Sequence, residues 1–207
     1  MAIFNTVYGG EWRFLPKTYQ EVEYIQTTGT QYINIWMKAE NYHQTETKIE
    51  LTTTSQDIPV FWWTDGSSVR YHLTPFNNKW YFWIAGSEWN GGTYTATIGK
   101  QYAIVYNNSN NYLNVDWSDV VSVSGTTGYS GSQLCISYRS SGWVGMKYWQ
   151  FKYFYFKVKN KNTGEYEREF VPCYRKSDSV IWMYDLVWKQ FYTNAGSWTF
   201  TKWPDVN

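Results

Sequence analysis

The stretch Glu165-Tyr166-Glu167-Arg168-Glu169 sets three carboxylates two residues apart. In a strand that spacing aims them at one face, about 7 Å between successive members. Glycosidases work with two carboxylates roughly 5–9 Å apart, so hydrolysis of a glycosidic bond is the sharpest catalytic chemistry on offer. The same acids follow a hairpin loop, however, and Lys157 and Lys159 stand on the strand that would pair with theirs. Opposite charges across two strands are an ordinary stabiliser, so the ladder reads as structural and hydrolysis as an alternative. Glu21-Val22-Glu23 reads as the solvent side of a strand. His43 and His72 lie far apart, with no acid or cysteine at a ligand or triad spacing, so no metal or catalytic role is expected of them. No glycine-rich loop of the phosphate-cradling kind is present.

A second chemistry is binding. Sugars present flat apolar C–H faces ringed by hydroxyls, and a site for them combines aromatic rings with a few placed amides and carboxylates. Three stretches have that content: Phe61-Trp62-Trp63-Thr64-Asp65-Gly66, Asn77-Asn78-Lys79-Trp80-Tyr81-Phe82-Trp83 and Ser87-Glu88-Trp89-Asn90. The glycan-binding candidates are Trp63, Asp65, Asn78, Trp80, Trp89 and Asn90. The competing reading is that these rings fill a core and contacts between subunits.

The elements that must carry these residues are strands. Thr47–Thr52, Tyr102–Tyr106 and Tyr112–Asp116 alternate polar and apolar, as half-buried strands do. Asn107–Asn111 is a polar hairpin loop, because Asn tolerates left-handed backbone. Phe151–Lys159 and Glu165–Val171 form another hairpin around Asn160–Gly164, and Pro172, lacking an N–H, is expected to end the strand or sit at an edge. Gly91-Gly92, Gly125-Thr126-Thr127-Gly128 and Ser140-Ser141-Gly142 punctuate further strands. Turns at this spacing with almost no helical periodicity predict two antiparallel sheets packed face to face. Residues 1–14 precede this body as an N-terminal arm or docking strand, or as an extra edge strand of the same sandwich; residues 15–207 form the sandwich.

A chain of 207 residues suits one all-β domain. With 18 Lys+Arg against 17 Asp+Glu, it lacks the clustered basic excess of a nucleic-acid binder. No apolar run approaches the ~20 residues of a membrane-spanning helix, and the start has no basic and apolar secretory signal. Cys135 and Cys173 read as buried small hydrophobes, with a bridge between them left open. Aromatics make up 22% of the chain, with 14 Trp, 20 Tyr and 11 Phe. That exceeds what one sandwich core can hold, so some rings must face a partner or solvent.

Two segments carry a family resemblance. Arg168–Asp178, Tyr184-Asp185-Leu186-Val187 and Phe191–Gly196 resemble the closing hairpins of a concanavalin A-like (laminin-G-like) jelly-roll module, and Glu21–Ile33 resembles its first strand pair. The module is common in tail, fibre and head-appendage proteins of bacteriophages and in surface proteins of gut bacteria. The resemblance brackets residues 15–206 and implies an all-β, two-sheet antiparallel β-sandwich of the jelly-roll kind. It further implies a non-enzymatic virion protein, a head fibre, decoration protein or tail-associated adhesin, assembled in a host cytoplasm. Such a protein would attach to host-surface or mucus glycans and contact other virion proteins through residues 1–14. It would form an oligomer, with a trimer as the first expectation. A purely structural capsid or tail protein and a glycoside hydrolase are the alternatives. No cofactor is expected. Laminin-G-like modules often bind calcium at loop carboxylates, but Asp116 with Asp119, and the Asp65-Gly66-Ser67-Ser68 turn, have the spacing of ordinary solvated turns.

The tryptophans depart from that pattern. Where the family reads Ile-Gly before Tyr184 this chain has Ile181-Trp182, and Trp198 and Trp203 replace glycines of the closing segment. Trp36, Trp62, Trp83, Trp117, Trp149 and Trp188 also stand where glycine or another turn residue is natural. Either the chain has gained exposed aromatics for binding or assembly, or a UGA codon reassigned to glycine has been read as tryptophan. Trp63 and Trp80 are genuine on both accounts.

Overall fold

The computed structural model describes residues 7–8, 11–12, 14–29, 31–38, 40–53, 59–64, 70–76, 78–84, 87–107, 112–122, 133–137, 150–197 and 199–206. It describes the backbone alone at 7–8, 11–12, 62–64, 70–72, 76, 81–84, 87–93, 112, 121–122 and 133. Every element among these residues is a strand. In chain order they are β1 (Val7–Tyr8), β2 (Glu11–Trp12), β3 (Tyr19–Glu21), β4 (Ile25–Gln26), β5 (Ile33–Lys38), β6 (His43–Leu51), β7 (Phe61–Thr64), β8 (Arg70–Phe76), β9 (Lys79–Ile84) and β10 (Ser87–Thr95). There follow β11 (Gln101–Asn107), β12 (Tyr112–Val115), β13 (Ser118–Ser122), β14 (Gln133–Ile136), β15 (Phe151–Asn160), β16 (Tyr166–Arg175), β17 (Ile181–Asp185), β18 (Gln190–Tyr192) and β19 (Thr201–Lys202).

An eleven-stranded antiparallel sheet runs β13-β12-β11-β6-β15-β16-β17-β18, with β3 on β16 and with β4 between β15 and β19. A six-stranded sheet runs β10-β9-β8-β7-β14-β5, while β1 and β2 pair with each other. Residues 20–26 meet residues 201–206. β19 pairs with β4, Val22 bridges Asp205, and the Gln20 amide donates to the Val206 carbonyl at 3.0 Å.

The core lies between the two large sheets. In β6, His43, Thr45, Thr47, Ile49 and Leu51 point inward, the two-residue period expected of a half-buried strand. Phe61 of the smaller sheet meets Tyr106 and Phe156 of the larger edge-on, at 5.8 and 6.0 Å between ring centroids. Trp80 meets Tyr102 the same way at 5.2 Å. Across the same gap the Tyr153 hydroxyl donates to the Val60 carbonyl at 2.8 Å, so the buried phenol keeps a partner. Edge-to-face pairs add about 0.5–1.5 kcal/mol each beyond area burial, which is why these aromatics can serve as the mortar of the sandwich. Cys135 and Cys173 are buried thiols, one in each sheet and not bridged to each other, and burial pushes the Cys135 thiol up to about 12.

Two expectations about strand ends are corrected. Pro172 does not end its strand; β16 continues to Arg175. Its carbonyl accepts from the Val22 N–H at 3.0 Å, so its nitrogen faces the same side, away from β17. On that side β15 pairs with β16 up to Phe170, and β3 takes over from Cys173. The reciprocal bond, from residue 172 to the Val22 carbonyl, is the single ladder bond that the proline forgoes, at the point where β15 hands over to β3. Likewise Gly91-Gly92 lies inside β10, where the register with β9 shifts between Asn90 and Thr95, a bulge rather than a strand end. Gly125–Gly128 and Ser140–Gly142 lie outside the described residues. The Asn160–Gly164 hairpin forms as expected: the Asn160 side chain accepts from the Asn162 and Thr163 amides, and Gly164 takes φ +78°.

Candidate functional site

Two of the three acids of the ladder, Glu167 and Glu169, are committed to the fold, and Glu165 is exposed ahead of β16. Glu169, almost fully buried, accepts from Lys157 at 2.8 Å, directly across the β15–β16 ladder. Glu167 takes the His43 ring at 3.0 Å on one oxygen and the Asn160 amide at 2.7 Å on the other. Behind them Asp185, fully buried, accepts the Glu169 and Val187 amides at 3.1 and 2.9 Å. Arg168 lies 3.5 Å from Asp185 and stacks its guanidinium 3.5 Å from the centre of the Trp188 ring. Burial holds the Asp185 carboxyl above the usual carboxylate range, a larger effect than the amides and the guanidinium that oppose it. Glu167, Glu169 and Asp185 each have donors in the protein itself, so the pattern that invited a hydrolase reading is an ion-pair lattice.

His43 gains the acid partner that its sequence neighbourhood lacks, from 124 positions away. Its Nδ1 accepts the Glu40 N–H at 3.0 Å, so the neutral ring carries its proton on Nε2 and donates it to Glu167. Burial holds the ring below the ordinary imidazole range despite the carboxylates nearby. With both nitrogens engaged, this histidine is a structural strut. Asp116 is similarly occupied. It accepts the Ala103 N–H at 3.0 Å and the Tyr94 hydroxyl at 3.2 Å, and it pairs with Lys100 at 3.0 Å. Asp119 accepts from the Asn114 amide at 3.1 Å. Among the described residues no three His, Cys, Asp or Glu converge.

Of the six glycan candidates, Asn78 and Trp80 are the two whose side chains are described. Trp80 is corrected outright: it is fully buried against Tyr102, where no sugar reaches. The alternation of β9 put that ring on the inner face. Asn78 is exposed at the turn before it, with φ +60°. Trp63 lies in β7 opposite Tyr71, and Trp89 and Asn90 lie in β10 opposite Phe82 and Tyr81, where the backbone alone is described. Asp65 lies outside the described residues.

A groove that the sequence reading did not assemble does have the right content. Asn34 and Trp36 of β5 form one side. Gln190, Phe191 and Tyr192 of β18, with Thr193, Asn194 and Ala195 after it, form the other. It lies where the last strand of the smaller sheet approaches the last strand of the larger one. Its volume is about 250 Å³, below the range of drug-sized pockets. The walls are clipped together: the Asn194 side chain accepts the Tyr32 and Gly196 amides at 3.1 and 2.7 Å, and the Ala195 N–H donates to the Tyr32 carbonyl at 3.0 Å. Phe191 is braced by Tyr19, stacked at 4.9 Å. Amides, the Tyr192 and Thr193 hydroxyls and rings line the groove. The signal was present in Asn34-Ile35-Trp36 and Thr193-Asn194, but 154 or more positions separate them, and only the sheet edges bring them together.

The expected surplus of rings is found at the surface. Trp36, Trp117, Trp188 and Trp203 are exposed by 63%, 85%, 55% and 57%. Trp203 stacks on Tyr24 at 5.9 Å and Trp188 on Arg168, whereas Trp36 and Trp117 stand at a bulge and a turn.

No family model matches the chain, and no curated protein is significantly similar to it. Among solved structures it is similar to the native heptameric SAP-like pentraxin from Limulus polyphemus, with a TM-score of 0.44 and 7% identity over 68% of this chain and 71% of that one. At that level of likeness neither ligand nor assembly carries over. The described residues themselves are an all-β, antiparallel sandwich of two sheets.

Proposed function

We propose that this chain is a non-enzymatic attachment module that holds glycans, carried on a bacteriophage virion as a head fibre, decoration protein or tail-associated adhesin. The observation that carries the binding reading is the amide-lined groove between β5 and β18, where Asn34, Gln190, Thr193 and Asn194 surround ring surface. The resemblance of the closing and opening segments to appendage modules supports the virion setting. A shallow groove of this size binds weakly, and many copies on one particle raise avidity without new contacts. Self-paired β1 and β2 are available as the docking piece towards other virion proteins.

Glycan-array binding of the purified chain, followed by titration of the best ligand, tests the reading. Gln190→Ala and Thr193→Ala should each weaken binding about five-fold, the effect of one lost hydrogen bond of ~1 kcal/mol. A blank array, with the chain nonetheless present on particles, would favour a purely structural decoration protein. Release of reducing sugar would favour the hydrolase.

A further inference from the structure

Two tryptophans occupy backbone built for glycine, for two unrelated reasons. Asp116 and Trp117 are the two residues between β12 and β13, flanked by the pair Val115–Ser118. Both have left-handed backbone, φ +51° and +66°, as a type I′ hairpin turn requires. Asp-Gly is a preferred filling of such a turn, because glycine has no Cβ to clash there. Trp36 has φ +52° inside β5. Opposite it, β14 advances from Cys135 to Gln133 while β5 advances from Asn34 to Lys38, so Trp36 sits in a bulge, where a left-handed glycine is the standard solution. A bulky residue with positive φ is a genuine outlier, and these two gain little from burial to offset it, being 63% and 85% exposed. The other described non-glycine residues with positive φ are Asn78, Ser137, Ser179 and Lys189, small, amide-bearing or unbranched.

We propose that positions 36 and 117 are glycine in the protein as its own cell makes it, because their codons are UGA and that cell reads UGA as glycine. UGA differs by one base from UGG, the tryptophan codon, and by one base from the glycine codon GGA. The same gene therefore yields Asp-Trp on one decoding and Asp-Gly on the other. Trp80 is the internal contrast, a buried ring in a regular strand, where the backbone makes no call for glycine. The groove at Asn34 keeps its amides and opens further once position 36 has no ring.

Peptide mass spectrometry of the protein isolated from its own particles or cells decides the matter. Glycine at 36 and 117 with tryptophan at 80 is the expected result; tryptophan at either of the first two overturns the proposal for that position. A second measurement needs only recombinant protein from a host that reads UGG as tryptophan. The double variant Trp36→Gly with Trp117→Gly should melt higher than the chain as written, by roughly 4–8 °C. A lower melting temperature would show that the rings contribute and would count against the proposal. Neither readout depends on glycan binding.

Discussion

Trp80 and Trp117 are the same residue in opposite settings. Trp80 lies between the sheets, fully buried, its ring edge-on to Tyr102. Trp117 caps a two-residue turn, 85% exposed, on left-handed backbone. A tryptophan stabilises a sandwich when its ring leaves water and meets other rings at ordinary backbone angles. At the turn the ring stays wet and its Cβ strains the chain. The contrast explains how a chain with 22% aromatics can hold a dense core and still display rings that the fold does not use.

The largest expected effect breaks the buried side of this comparison. Trp80→Ala should destabilise the protein by about 3–5 kcal/mol in a denaturant titration, through lost burial and a cavity. A loss under ~1 kcal/mol would mean that the interlayer contact with Tyr102 is not what joins the sheets there. The turn should respond in the other direction. Trp117→Gly should stabilise by about 1 kcal/mol, whereas Trp117→Ala, which keeps a Cβ on left-handed backbone, should leave stability nearly unchanged. Equal effects of the two variants would trace the change to the ring and not to the backbone.

The smallest effect extends the comparison to an ionisable ring. His43 is buried like Trp80 but can take up a proton. Because burial lowers its folded value, the neutral ring is the form that folding selects. Its contribution is complete above the ordinary imidazole value of about 6.5, erodes as pH falls below that, and is gone below the folded value. Protonation would also set an N–H against the Glu40 amide, which now donates to Nδ1. Melting temperatures between about pH 7.5 and about pH 5 should therefore fall less steeply for His43→Gln than for the parent. Parallel slopes would place the acid sensitivity in other groups.

Much of this architecture was legible beforehand, for local reasons. Alternation at 47–52, 102–106 and 151–159 marks strands because side chains on a strand alternate faces, and β6, β11 and β15 lie there. That Lys157 and Lys159 stand on the strand beside the acids followed from the Asn160–Gly164 hairpin, whereas the pairing of Lys157 with Glu169 depends on a register shift between Val158 and Lys159. The suspicion about Trp36 and Trp117 also began in local pattern, and the backbone angles gave it a physical form.

Which face each ring would take, and which distant edges would meet, lay beyond local pattern. Trp80 looked like a sugar platform because its neighbours are polar, yet burial depends on which side of β9 faces the second sheet. Pro172 looked like a strand end because proline lacks an N–H, yet its nitrogen faces the handover between β15 and β3. The His43–Glu167 contact and the Asn34–Asn194 groove join residues more than a hundred positions apart. The sequence by itself determined strands, hairpins and an aromatic surplus, because these follow from side-chain period and turn chemistry. Only the tertiary structure decided which rings are core, which acids are struts and where a groove opens, because those depend on how two sheets are laid against each other.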